Sequence, residues 1–119
     1  MRRDELRLRD VLARIDAAMD AVRGMSSTDF QSNLLMQKAI LNDITVIGEA
    51  ANAISKELQE KYARIPWQNI IAMRNVVVHE YFSVDSDIVW ETVTLDLASL
   101  RPLIVEILSA EFPADSGKA

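Results

Sequence analysis

The sequence predicts an all-α fold, an antiparallel four-helix bundle, and three observations point to it. Half of the residues are apolar, aromatics are few, and the chain holds only three glycines and three prolines. Apolar residues recur three and four positions apart over long stretches, the period of a helix with one buried face. Short Gly-, Pro- and Ser/Asp-containing segments divide those stretches. At 119 residues the chain is expected to form one domain with a modest core. That domain is placed at residues 1–112, with 113–119 as a flexible polar tail.

Each element follows from its own pattern. Leu8, Leu12, Ile15, Met19 and Val22 lie on one stripe of a first helix, which Gly24 ends before the turn-like GMSSTD. Ile40, Ile44, Ile47, Ala51, Ile54 and Leu58 form the stripe of a long second helix. Gly48, Ala50, Ala51 and Ala53 keep that helix slim, so another backbone can approach it closely. In ARIPWQN, Pro66 suits the first turn of a third helix, where its missing N–H costs nothing. This helix carries Trp67, Ile70, Ile71, Met73, Val77 and Val78. SVDSD is the next turn, with Asp85 or Ser86 as N-cap and Asp87 favourable in the first turn. Val93, Leu97, Leu100, Ile104 and Ile107 mark the fourth helix, and Pro102 within it predicts a kink or a division into two pieces.

Composition excludes several functions. There is no cysteine, hence no disulfide and no thiolate chemistry. The first ten residues are charged throughout, unlike a secretory leader, and no apolar run approaches the roughly 20 residues of a membrane span. A cytoplasmic protein is expected. The net charge of −5 argues against a broad basic surface for nucleic acid, so any contact with RNA is local or shared between subunits.

The segment AMRNVVVHEYF, residues 72–82, fits core packing poorly, because Arg74, Asn75, the chain's single histidine His79 and Tyr81 fall together in it. Each alone has an ordinary structural reading as a surface charge, a helix-end histidine or a core ring with a wet hydroxyl. Their combination suits phosphodiester chemistry. Arginine offers a fixed cation and a bidentate fork for phosphate, and histidine transfers protons near neutral pH. Asn75, one turn from His79, can orient the imidazole or contact a phosphate oxygen. Attack of an RNA 2′-hydroxyl on its own phosphate needs a base, an acid and positive charge on the developing phosphorane. On a straight helix Arg74 and Tyr81 lie about 20° apart, while Arg74 and His79 are about 140° apart. Either the helix loosens near His79, or a second copy of the chain completes the site.

RNVVVHEY matches Arg-x4-His-x-Tyr, and the sequence here resembles HEPN-domain toxins of the HepT type. The flanking IGEAANAI, IPWQNIIAMRN and D-x-x-x-V-W are similar to the same family in the same order, covering residues 4 to 110 or so. The resemblance implies a symmetric homodimer whose paired motifs line a cleft, and an endoribonuclease that uses no metal and no cofactor. It implies a type VII-like toxin–antitoxin pair with a minimal nucleotidyltransferase antitoxin of the MNT type, which transfers AMP to the motif tyrosine. Carried over, Arg74 and His79 are the catalytic pair, Asn75 the polar helper and Tyr81 the modification site. An adenylyl group on Tyr81 would set phosphate beside Arg74 and block RNA.

Weaker signals have plainer readings. Asp85 and Asp87 suit a helix start better than a metal site. Glu49 either faces the cleft as a salt-bridge partner of Arg74 or faces solvent. Trp67 and Trp90 are expected as core or interface anchors. The alternative function is a non-enzymatic helical dimer that binds a nucleotide or a nucleotidyltransferase partner.

Overall fold

A computed structural model describes residues 2–79 and 86–113, with only the helical backbone of residues 2 and 75–79. The described chain is helical: α1 (Arg2–Ala21), α2 (Ser27–Gln31), α3 (Leu34–Asn52), α4 (Lys56–Lys61), α5 (Trp67–His79), α6 (Ser86–Glu91) and α7 (Leu97–Glu111). A π-helical turn, Thr92–Asp96, joins α6 to α7, so residues 86–111 run as one long irregular helix. The four long elements of the expected bundle are therefore α1, α3, α5 and this last composite helix. α3 packs most extensively against α5 and α1, and α1 packs against α7.

Side-chain ties fix the relative directions. Asp4 at the start of α1 meets Ser55 just past α3, whereas Arg14 farther along α1 meets Asp43 earlier in α3 (3.1 Å). α1 and α3 are thus antiparallel. Arg101 of α7 grips Asp16 of α1 through both Nε and Nη2. At the other end of α7, Glu111 receives Lys61 and the Tyr62 hydroxyl, each at 2.7 Å, and Glu106 pairs with Arg64. These pairs hold the α4–α5 corner onto the end of the last helix. The ammonium of Lys61 and the Tyr62 hydroxyl keep the Glu111 carboxyl below its ordinary pKa.

The core gathers Leu8, Ile15, Ile40, Ile44, Ile47, Ile65, Leu97, Ile104 and Ile107, all nearly inaccessible. On α1 the buried row is Leu8, Val11, Ile15, Ala18 and Val22, with Leu12 and Met19 only half-buried. The expected stripe is shifted by one residue at alternate turns, Val11 and Ala18 taking the places expected for Leu12 and Met19. Gly24 closes α1 with φ +82°, a conformation that favours glycine.

Three elements depart from expectation. GMSSTD is not only a turn: Ser26 caps α2, its hydroxyl accepting from Asp29 N while Ser26 N donates to the Asp29 carboxylate. This reciprocal box lets a five-residue helix place Phe30 fully inside, where its ring meets Trp90 at 5.4 Å. The second long helix stops at Asn52 rather than reaching Leu58. Ser55 caps a new helix, accepting from Leu58 N, so Ile54 and Leu58 are buried from a corner. Last, Pro102 does not divide α7, which runs unbroken from Leu97 to Glu111, and it lies on the exposed side. The irregularity falls earlier, where Thr92 and Thr94 hydroxyls donate to the carbonyls of Ile88 and Trp90. Such bonding four residues back bends a helix.

Ser86 begins α6 and Asp87 sits in its first turn, hydrogen-bonded by Gln31 of α2. The proposed cap Asp85 and all of the tail except Pro113 lie outside the described residues. No helix among the described residues is long and apolar enough to cross a membrane.

Candidate active site

Everything that positions the motif starts at the α4–α5 corner. Pro66 precedes α5 by one residue, and its carbonyl accepts the first helical hydrogen bond, from Ile70 N at 3.1 Å. Trp67 is buried, and its indole N–H donates to the Tyr62 carbonyl at 3.1 Å. Trp67 is therefore a core anchor, while Trp90 is half-buried against Phe30. With its start fixed in this way, α5 runs as an α-helix through Asn75 to His79.

Helix phase then sorts the functional residues. Arg74 is two turns beyond Trp67 and one beyond Ile70, so it continues the row that packs on α3. Its side chain is half-buried. Where it crosses α3, the facing residue is Gly48, and a Cβ built there would lie 2.5 Å from Arg74 Cβ. The close approach expected from the slim face of α3 thus occurs at the arginine itself. Positions 75 and 79 continue the other row, begun by Gln68 and Ala72, which are exposed.

Because α5 stays α-helical through His79, the two rows keep their separation of about 140°. Loosening of the helix before His79 is not seen, so a single α5 does not bring Arg74 and His79 onto one face. Tyr81 lies outside the described residues. Glu49 is exposed, and the ion pairs among described residues do not include one joining it to Arg74.

α5 and the last helix do not close on each other. Between them lies a cavity of about 280 Å³ lined by Asn69, Ile70 and Met73 of α5 and Asp96, Ser99, Leu100 and Leu103 opposite, with Pro66 at its end. Its floor is apolar and its rim carries an amide, a hydroxyl and a carboxylate. It runs alongside α5 one turn before Arg74. Sequence reasoning did not find it, since its two walls are about 30 residues apart in the chain and share no periodic signal.

Residues 10–107 match the family described as Ribonuclease HepT-like. The chain belongs to the HepT-like ribonuclease family. A protein of Caldanaerobacter subterraneus subsp. tengcongensis named "Putative RNase" is 34% identical over 104 residues, 87% of this chain and 93% of its own. One of Methanocaldococcus jannaschii, with the same description, is 32% identical over 101 residues, 85% of this chain and 87% of its own. "Probable ribonuclease HepT" of Thermococcus cleftensis is 31% identical over 94 residues, 79% of this chain and 86% of its own. No solved structure matches it significantly. The all-α fold and the family agree with the expectation from Arg-x4-His-x-Tyr.

Proposed function

We propose that this HepT-like chain is the toxin of a toxin–antitoxin pair and cleaves RNA without a metal ion, using Arg74 and His79. The observation that carries the reading is the family match spanning the whole motif, together with an arginine seated on α3 by a glycine. Arg74 holds the scissile phosphate and neutralises the phosphorane as negative charge builds on its oxygens. A neutral His79 takes the proton of the attacking 2′-hydroxyl. A protonated His79 gives a proton to the departing 5′-oxygen, leaving a 2′,3′-cyclic phosphate and a 5′-hydroxyl. Two histidines are needed for that division of labour, and each chain has one. The site is accordingly a cleft between two copies, which also answers the 140° separation, since the arginine row of one copy can face the histidine row of the other. Asn75, one turn before His79, orients the imidazole or a phosphate oxygen.

Regulation is by a minimal nucleotidyltransferase partner that transfers AMP to Tyr81. Tyr81 stands seven residues beyond Arg74 in the sequence, and the added phosphodiester supplies Arg74 with an intramolecular anion in place of RNA. The protein works in the cytoplasm. The test is toxicity on expression in cells without the partner. Arg74→Ala and His79→Ala should each abolish it while far-UV and near-UV circular dichroism stay native. Full toxicity in either variant removes that residue from the mechanism.

A further inference from the structure

Glycine is among the weakest helix formers, yet Gly48 stands in the interior of α3, more than three residues from either end. Its backbone is ordinary helix, so no left-handed conformation explains it; among the described residues the positive-φ glycine is Gly24. The explanation is distance. A Cβ at position 48 would meet Arg74 Cβ at 2.5 Å, Arg74 N at 3.2 Å and Arg74 Cα at 3.3 Å. The first separation is shorter than real Cβ contacts allow, and the other two atoms are backbone, which cannot swing aside as a side-chain tip can. All three belong to one residue of α5, and that residue is the arginine of the motif. Ile44 and Ile47 are buried on α3 before this position and small Ala51 is buried one turn after it, so the arginine meets α3 at its slim face.

We infer that Gly48 is a positioning residue for Arg74: its missing side chain sets how deeply α5 seats on α3 at the arginine, and so where the guanidinium stands over the phosphate. This rests on Arg74 being the phosphate-binding cation of the proposed reaction. Any side chain at 48 must push α5 outward by about 1 Å at Arg74 to restore ordinary contact. A displacement of that size at a bidentate arginine is enough to cost about 10- to 100-fold in turnover. Ground-state binding of a long RNA, spread over many weaker contacts, changes little, because the arginine is asked for most when the phosphorane forms.

The experiment compares wild type, Gly48→Ala and Arg74→Ala in steady-state cleavage of a fluorescent single-stranded RNA that the wild type cuts, with thermal melts in parallel. The expected result is that Arg74→Ala loses cleavage. Gly48→Ala should lower kcat about 10- to 100-fold, with KM within threefold and Tm within a few degrees of wild type. Wild-type kcat in Gly48→Ala overturns the inference. So does an activity loss that merely tracks unfolded protein and disappears on cooling, since that is a structural role alone. If Arg74→Ala cleaves normally, the reading of the arginine itself fails, whatever Gly48→Ala does. Should Gly48→Ala not fold, Gly48→Ala/Arg74→Gly decides, for it removes the Cβ that the new methyl would strike. Recovery of folding to the level of Arg74→Gly supports the arginine as what Gly48 makes room for, and failure to recover overturns it.

Discussion

Replacing Asp4 should unfasten the bundle more than any other single surface-proximal change. The carboxylate is 4% exposed and accepts two hydrogen bonds from Ser55, from the backbone N–H at 2.9 Å and from the hydroxyl at 2.6 Å. Ser55 in turn caps α4, so one aspartate ties the start of α1 to the corner between α3 and α4. Hydrogen bonds to a charged group contribute about 1.5–3 kcal/mol each, and the pair shares one desolvation cost. Asp4→Ala also strands the Ser55 N–H, so a net loss of about 2–4 kcal/mol is expected. With an unfolding entropy near 2.1 cal/mol/K per residue, a chain of this length shifts by about 4 °C per kcal/mol, or about 8–16 °C in all. Asp4→Asn keeps an acceptor and a donor of the same shape and should fall by less than half of that. Calorimetric melts of the three proteins at pH 7 provide the assay. A shift under about 3 °C for Asp4→Ala would refute the reasoning, because it would mean that the buried carboxylate is no better placed than water would leave it.

The remaining predictions concern the core, a second tie at the α4 corner, and the site. Phe30→Ala should cost about 3–5 kcal/mol in a urea titration, since its ring is fully buried against Trp90; a loss under about 1 kcal/mol would mean α2 is dispensable. Glu111 has a folded-state pKa lowered from the ordinary 4.5, so its contribution is present above that value and is lost as pH falls through the lower, folded one. The Tm gap between wild type and Glu111→Gln should therefore be seen at pH 6 and shrink as pH falls below 4.5, and a gap that widens in acid contradicts the Lys61–Glu111–Tyr62 clamp. Tyr81→Phe should cleave RNA much as wild type does yet resist silencing by the nucleotidyltransferase partner; complete silencing of that variant by AMP transfer would rule out Tyr81 as the sole switch.

Much of this fold is legible in the residues themselves. The 3–4 spacing of Ile40, Ile44 and Ile47 and of Leu97, Leu100 and Ile104 is long enough that only a buried helical face satisfies it, and those residues are buried. What the spacing hid are the places where side chains capture the backbone. Ser55 continues the period of α3 as easily as it breaks it, and its capping role depends on Asp4, about 50 residues away. Thr92 and Thr94 look like ordinary helix residues until their hydroxyls take carbonyls a turn back. Phe30 directly follows a segment that reads as a turn, because Ser26 and Asp29 are turn residues that also make a capping box. At the candidate site, the row carrying Arg74 and the row carrying positions 75 and 79 follow from helix geometry alone. That α3 would accept a close backbone was readable from Gly48 and its alanines, but not that the arginine is the residue it meets. Periodicity describes one helix at a time, and that meeting belongs to two.

Cleavage of total cellular RNA by the purified protein in EDTA, wild type beside His79→Ala, tests the central claim most directly. The account predicts fragments ending in 2′,3′-cyclic phosphate from the wild type and intact RNA with His79→Ala. Equal cleavage by both proteins, or intact RNA with a wild type whose Tyr81 is shown by mass spectrometry to be unmodified, would contradict it.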